Sequence, residues 1–545
     1  MVETGEFAWI ESIEYFLVPR SLGLVRDAGD DFVVNYVKRG LHHITGSPPR
    51  RIQSVVASLG RGMIDSMIES VMDVNSSPGK RKSVWMKSTD IAIREIKTAR
   101  VKYNYRTPIK FGGREVKDVV VLQTKVVVES RGTGKLTTGY GEMTLGNVWA
   151  WPSRKLNASL TLLPLINLFE RICTSAAEYR EFAHPLRLTT DLATSHHALE
   201  EEVARLVKLP EPIPKLAVLL VASPLEAAIH DAFGRSLNMS SFDCLGEEFC
   251  SEDLSSFLGA EFSGLYLDRF TSRAPKTTMP LYHLVGALDP LSKDDLRKRV
   301  GDGLPETLEE WISTESLSHL KIKLDGDDLD WDVGRVTEVD RIANRVAPDR
   351  LWRYSVDFNE RCPNEDYVIE FLERIDRLSK TSGPRIQYIE QPTSRDLEPI
   401  ADQTMHRVSR TKPVVLDEGL LDLDTLQRAR QMGYNGVALK ACKGQTESLL
   451  MAAAAQHFGL FLCVQDLTCI GASFLHSASL AARIPTVAAI EGNGRQYCPE
   501  GNQAWLPEYG PMFKIRSGTV PTELLNGIGL GYDWPAASLT GLESA

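Results

Sequence analysis

The sequence predicts an α/β chain whose main body is a (β/α)8 barrel, read from a seven- or eight-fold βα repeat. An α+β capping domain and an N-terminal extension complete it. Three observations predict this. After Met279, short apolar runs alternate with amphipathic stretches, and most runs end in a polar residue. Those ends, from Lys323 to Glu491, recur every 23 to 34 residues, room for a strand, a crossover helix and two loops. Ahead of them, strand-like segments give way to helix-like ones, an α+β order. An open doubly wound sheet fits less well, because no Gly-rich phosphate turn follows the first run.

Residues 1–90 are assigned to the extension, where Gly46–Arg51 and Ser76–Lys82 break the chain around a helical-looking Ile52–Val74. The cap is assigned to 91–278. Ile91–Val101 and Val116–Ser130 alternate with a period of two and read as strands, Gly112-Gly113 and Gly132–Gly134 as turns. The meander ends at GYGEMTLG, Gly139–Gly146. Leu160–Ile172 and Ala222–Phe233 space apolar residues at three and four, as helices do. The barrel is assigned to 279–497, with runs Pro280–Val285, Ser318–Lys323, Trp352–Asp357, Ile386–Glu390, Pro413–Asp417, Gly436–Lys440, Leu460–Gln465 and Thr486–Glu491. The last segment, 498–545, shows no strong helix and is expected to return to the cap.

Composition narrows the function. The 545 residues are 43% hydrophobic and 25% charged, ordinary for a globular protein. With 62 Lys+Arg against 72 Asp+Glu the net charge is −10, which argues against nucleic acid as a partner. No apolar run reaches the ~18 residues of a membrane span, so no membrane association is expected. The start, MVETGEFAWIES, lacks the features of a secretory signal, and the eight cysteines form no CxxC pair. A cytoplasmic enzyme is expected, free to form a homo-oligomer.

The ends of successive barrel runs carry Lys321 and Lys323, Asp357, Glu390, Asp417, Lys440, Gln465 with Asp466, and Glu491. In a parallel barrel this is the face where chemistry occurs. Three converging carboxylates, Asp357, Glu390 and Asp417, need neutralising, and their oxygens suit Mg²⁺. The competing reading is a set of internal salt bridges with the lysines. Lys321 and Lys323 are two apart on one strand and point into the barrel. At a strand rise that sets them about 6.6 Å apart, they repel by roughly 2.5 kcal/mol at an effective dielectric of ~20. That is about 2 pK units, enough to bring Lys323 toward the range of a working base. Lys440 ends the sixth run, across the barrel. Two acid/base groups flanking a metal suit removal of a proton next to a carboxylate, so the expected partner is a small-molecule carboxylate.

These residues carry a resemblance. KIK (Lys321–Lys323), VDFN (Val356–Asn359), IEQP (Ile389–Pro392), LDEG (Leu416–Gly419) and ALKACKG (Ala438–Gly444) resemble the enolase superfamily, mandelate racemase/muconate lactonizing enzyme group. GYGE (Gly139–Glu142) and SPLEAAIHDAFG (Ser223–Gly234) are similar to its cap, and the resemblance runs from about Asp90 to Gly529. It implies Mg²⁺ on Asp357, Glu390 and Asp417, and Lys323 and Lys440 as acid/base pair. Lysines at both strand ends are similar to the muconate lactonizing enzyme subgroup. The seventh strand end offers no histidine, and His476 sits in an apolar helix, where a structural role is expected. Dipeptide epimerases carry Asp-x-Asp at the eighth strand end, where this chain has Glu491-Gly492-Asn493.

The expected activity is a racemase or epimerase working through an enediolate, the alternatives being a cycloisomerase or dehydratase. A Schiff-base aldolase using Lys440 and a non-catalytic binding barrel are the rivals from other classes. Expected substrate contacts are Glu491, Asp466 and Asn359 on the barrel, with Trp149, Trp151, Tyr105 and Phe111 on two cap loops, Tyr103–Gly113 and Met143–Arg154.

Overall fold

The structure, a computed structural model, describes residues 86–111 and 114–543. Most of the expected extension, the Gly112-Gly113 turn and the Phe111 side chain lie outside the described residues. Three antiparallel strands form the cap sheet: β1 (Ile91–Phe111), β2 (Arg114–Ser130) and β3 (Leu136–Leu145), in that order. β1 runs ten residues past the expected end at Val101. Its pairing with β2 breaks between Asn104 and Ile109, around Pro108, which has no N–H for the ladder and sits on an edge strand. The stretch from Tyr103 to Phe111, expected as a loop, is therefore strand.

Helices α1 (Asn147–Ala150), α2 (Ala158–Glu178), α3 (Pro185–Ala193), α4 (His196–Leu206) and α5 (Lys215–Leu237) follow β3 in the cap. Asn157 caps α2 by accepting from Leu160 N at 3.0 Å. α5 lies on the sheet because β3 presents Gly139 and Gly141 to it. A Cβ on Gly141 would come within 2.0 Å of Pro224 O, and one on Gly139 within 2.2 Å of Ala232 N. The two glycines of GYGE are what let helix and strand touch. α2 and α5, with mean hydropathy of 1.2 and 1.5, are long and apolar enough to cross a membrane, contrary to the expectation that no run was. Of those apolar stretches 50% and 89% are buried inside the protein.

The barrel consists of β4 (Met279–Val285), β5 (His319–Lys323), β6 (Arg353–Asp357), β7 (Ile386–Glu390), β8 (Val414–Leu416), β9 (Gly436–Leu439), β10 (Phe461–Val464) and β11 (Ile490–Glu491). All eight are parallel, and β11 closes the ring on β4 through Ile490–Leu281 and Glu491–Tyr282. Alternation sorts the side chains. Tyr282, Tyr388, Val415, Ala438, Cys463 and Ala489 fill the lumen, while Leu320, Ile322 and Val356 pack outward under the helices. The β7–β8 crossover departs from the repeat: it holds only a 3-10 turn, Val408–Arg410, in a stretch punctuated by Pro392, Pro399 and Pro413.

The C-terminal segment does contain a helix, Leu506–Phe513, kinked at Tyr509. It then adds β12 (Thr519–Val520) antiparallel to β4, and reaches the cap, where Arg235 donates to Tyr532 O and Asp533.

Candidate active site

The register of the barrel places three functional side chains in one row, Lys323 beside Asp357 beside Glu390 on β5, β6 and β7. Asp417 follows β8, Lys440 follows β9, Gln465 and Asp466 follow β10, and Glu491 ends β11. All are buried, and Lys323, at 8% exposure, is the most open.

The carboxylates and lysines interlock. Lys323 Nζ donates to Asp357 Oδ2 at 2.5 Å. Lys321 Nζ stands 3.2 Å from the same oxygen, 2.8 Å from Glu390 Oε1 and 2.9 Å from Glu491 Oε2. Lys440 Nζ pairs with Asp417 Oδ2 at 2.8 Å. Gln465 donates its amide to Glu390 Oε2. Burial works against the Lys321 ammonium, but Glu390, Glu491 and Asp357 outweigh it and raise its pKa well above the ordinary lysine value. Lys440 is likewise raised, burial being outweighed by Asp417. Burial pushes Glu390 far up, with Asp357 and Asp417 adding to the push. Asp357 and Asp417 go down despite burial, because lysines stand against each.

This corrects the expected repulsion between Lys321 and Lys323. Asp357 Oδ2 stands 3.2 Å from Lys321 Nζ and 2.5 Å from Lys323 Nζ, so an acid lies against both ammonium groups and Lys321 is a neutralised neighbour.

Several residues that strand ends alone do not reveal join the site. Glu418 is pushed up to about 7 by burial and by Asp417, Glu360 and Asp357. Lys443, three residues past Lys440 on the 3-10 turn Ala441–Lys443, returns to the same side and donates to Asp417 O at 2.5 Å. Gln391, with φ of 33°, ties β7 to β8 by accepting from Asp417 N at 2.8 Å. Glu418, Lys443 and Gln391 all stand inside the motifs LDEG, ALKACKG and IEQP, and their presence there was the available signal.

The expected substrate contacts divide. Trp149 reaches the site: its Nε1 donates to Glu418 Oε1 at 2.9 Å and its ring lies 4.5 Å from Lys440 Nζ. Arg395 holds it from the barrel side, donating to Trp149 O at 2.9 Å. Trp151 is not brought there, since its indole bonds Glu211 of the cap at 2.8 Å and the residue is buried in the cap core. Tyr105 packs against Val119, Val121, Ile470 and Cys498, beside the loop that carries Asp466. Asn359 contributes its backbone: at φ of 47° its N–H donates to Asp357 Oδ1 at 2.9 Å. Asp466 accepts from Thr468 N and Asn493 N at 3.1 Å each, and Asn493 donates to Glu491 Oε1 at 3.1 Å. Burial and Glu491 push Asp466 up to about 7.

The donor set fits a hard divalent cation. Six buried carboxyl groups (Asp357, Glu390, Asp417, Glu418, Asp466, Glu491) stand among four buried lysines (Lys321, Lys323, Lys440, Lys443), so hard oxygen donors outnumber the cations. Asp417 Oδ1, Glu418 Oε2 and Gln465 Oε1 are buried without a hydrogen-bond donor. As arranged, each carboxylate of the triad is turned to a lysine, and no acidic, His or Cys trio among the described residues is gathered closely enough to ligate a metal.

Comparison with known proteins agrees with this architecture. Residues 303–537 match the family described as "Enolase C-terminal domain-like". No curated protein matches the chain. Among solved structures, an enolase from Bradyrhizobium complexed with magnesium and mandelic acid aligns with a TM-score of 0.52 at 16% identity, covering 83% of this chain and 98% of its own. A muconate lactonizing enzyme from Pseudomonas fluorescens complexed with muconolactone gives 0.53 at 15%, covering 83% and 99%. A dipeptide epimerase from Enterococcus faecalis complexed with Mg and L-Leu-L-Tyr gives 0.52 at 13%, covering 81% and 99%. Residues 303–537 thus match the model of the enolase C-terminal domain-like family, and the chain shares the fold of these structures.

Proposed function

We propose that the chain removes the proton α to the carboxylate of a small-molecule acid, and that its reaction is a 1,1-proton transfer, a racemisation or epimerisation. One observation carries this reading: two buried lysines, Lys323 and Lys440, stand on β5 and after β9, four strands apart in a closed ring of eight, each paired with a carboxylate of the triad. They can address opposite faces of one carbon.

Asp357, Glu390 and Asp417 would hold Mg²⁺, which when bound offsets the charge that develops on the substrate carboxylate as the proton leaves. The protein groups do the rest. Lys321 is gripped by Glu390, Glu491 and Asp357, so its part is to hold those acids in place rather than to move protons. Asp417 keeps Lys440 an ammonium in this arrangement, the state of a proton donor, while Lys323 stands across the ring to exchange a proton at the other face. Trp149 covers Lys440 and shields the transfer from water. Asp466, Glu491 and Asn493 form a polar wall on the β10–β11 side for the rest of the substrate.

A second reading, a cycloisomerase or dehydratase, is favoured by the same ion pair. If Lys440 stays an ammonium throughout, it steadies an enolate electrostatically and Lys323 is the single base. That charge also disfavours a Schiff-base aldolase, whose nucleophile is a free amine. The test is a library of carboxylic acids in deuterated water with Mg²⁺. Deuterium at the α-carbon of a substrate is expected, with both stereoisomers recovered if the reaction is a racemisation. Borohydride trapping of a carbonyl compound on Lys440 would replace the proposal.

A further inference from the structure

Helix Gln445–His457, which follows Lys440, starts without a cap of its own. The residue before it is Gly444, at φ of 104° and with no side chain to offer. The cap domain supplies one instead. The carboxyl of Glu226, on α5, accepts from Thr446 N at 3.1 Å and also from Gln445 N. These are two of the first N–H groups of a helix, which have no partner within it. A Cβ on Gly444 would lie 2.6 Å from Glu226 Oε2, so the glycine provides both the backbone conformation and the room.

What this first turn holds is the backbone of Lys440. Ser448 Oγ donates to Lys440 O at 2.9 Å. Between them, the 3-10 turn Ala441–Lys443 ends in the lysine that grips Asp417 O. Thr446 is braced from the cap as well, its Oγ1 lying 2.7 Å from Thr189 Oγ1 and 2.9 Å from His230 Nε2. Burial pushes Glu226 up to about 8, and an acceptor oxygen faces the helix in either protonation state.

We infer that Glu226 is a positioning residue: the cap's carboxyl sets the first turn of helix Gln445–His457 and, through it, the placement of Lys440. The inference rests on the reading of Lys440 as an acid/base group, but its test needs no substrate. Cys442 lies in the turn between the two, 2% exposed, and its thiol reports when that turn opens. Native protein, Glu226→Ala and Glu226→Gln are treated with iodoacetamide and all eight cysteines are followed by peptide mapping. In the alanine variant Cys442 is expected to react about fivefold faster, the equilibrium equivalent of losing one helix cap, while the other cysteines keep their rates. The glutamine variant, which retains an acceptor, is expected to stay near the native rate. In lysine ¹³Cε-labelled protein, the resonance lost in Lys440→Arg is expected to shift in the alanine variant and not in the glutamine one. Where the alanine variant fails to accumulate as folded protein, Glu226→Asp, one methylene short of the helix, is expected to give the same selective labelling. An unmoved Lys440 resonance with native Cys442 labelling overturns the inference, and so does equal acceleration at every cysteine. Proton exchange that survives Lys440→Ala would count against the proposed chemistry and leave this result readable.

Discussion

The ring of Trp149, from the cap, lies 4.5 Å from the ammonium of Lys440, on the barrel, while its N–H is spent on Glu418 Oε1 at 2.9 Å. One cap side chain thereby touches a cation and its neighbouring acid together. The ring face favours the ammonium and the N–H satisfies a buried oxygen whose twin, Oε2, has no donor.

Trp149→Phe separates these two contributions. Phenylalanine keeps a ring over Lys440 but leaves both oxygens of buried Glu418 without a donor, at a cost of about 1–3 kcal/mol. A lower thermal midpoint is expected, with part of the loss recovered by adding Glu418→Gln, since a neutral amide is less costly to leave unpaired. A midpoint equal to that of the native protein would show that the indole N–H contributes nothing.

Much of this was legible beforehand because a parallel barrel repeats one rule: an apolar run, then a polar residue at its C-terminal end. Lys323, Asp357, Glu390 and Glu491 obey it, and each lies at the end of a described strand. The rule fails where position depends on contact between distant segments. Trp149 and Trp151 are two residues apart and chemically alike, yet one faces Lys440 and the other Glu211, a difference set by how α1 turns after β3. Likewise the spacing of Lys321 and Lys323 gives their separation but not the carboxylate of Asp357 beside both. Charge on a neighbouring strand decides what two like charges on one strand do.

Stability should fall on mild acidification through His184, the cap of α3. Its Nδ1 accepts from Leu186 N at 3.2 Å and its Nε2–H donates to Cys244 O at 3.0 Å, so the neutral ring is fully satisfied. A proton on Nδ1 would face an N–H. Burial lowers its pKa to about 4 from the ordinary 6.5. Because the folded value is depressed, the unfolded chain binds the extra proton between these values. The stability is present above pH 6.5 and is lost as pH falls toward 4, an upper bound of about 3 kcal/mol. His184→Asn, which keeps an N-capping side chain, is expected to flatten the slope of thermal midpoint against pH in that window. An unchanged slope would assign the titration to other groups.

Metal dependence follows from the surplus of carboxylates at the mouth. Asp417→Asn removes one charge and one hard donor while Lys440 and Lys443 still face the position. Mg²⁺ affinity by calorimetry is expected to drop at least about tenfold, the equivalent of roughly 1.4 kcal/mol, and exchange activity to vanish. Full activity after exhaustive chelation of the native protein would sink the metal assignment.

The lysines divide the work in a way that two variants resolve. Lys323 and Lys440 sit across the ring, each with its own carboxylate partner, so removing one leaves the other's ion pair intact. In a racemase, Lys323→Ala stops deuterium exchange from one stereoisomer and Lys440→Ala from the other, each by about 10²–10⁴-fold, the usual worth of a positioned acid or base. In a cycloisomerase or dehydratase, only Lys323→Ala stops exchange. Lys440→Ala then slows both stereoisomers alike, because it removes a charge rather than a proton acceptor. The pattern across two variants and two stereoisomers therefore separates the readings without knowledge of the natural substrate. Exchange that persists from both stereoisomers in the double variant would remove both lysines from the chemistry.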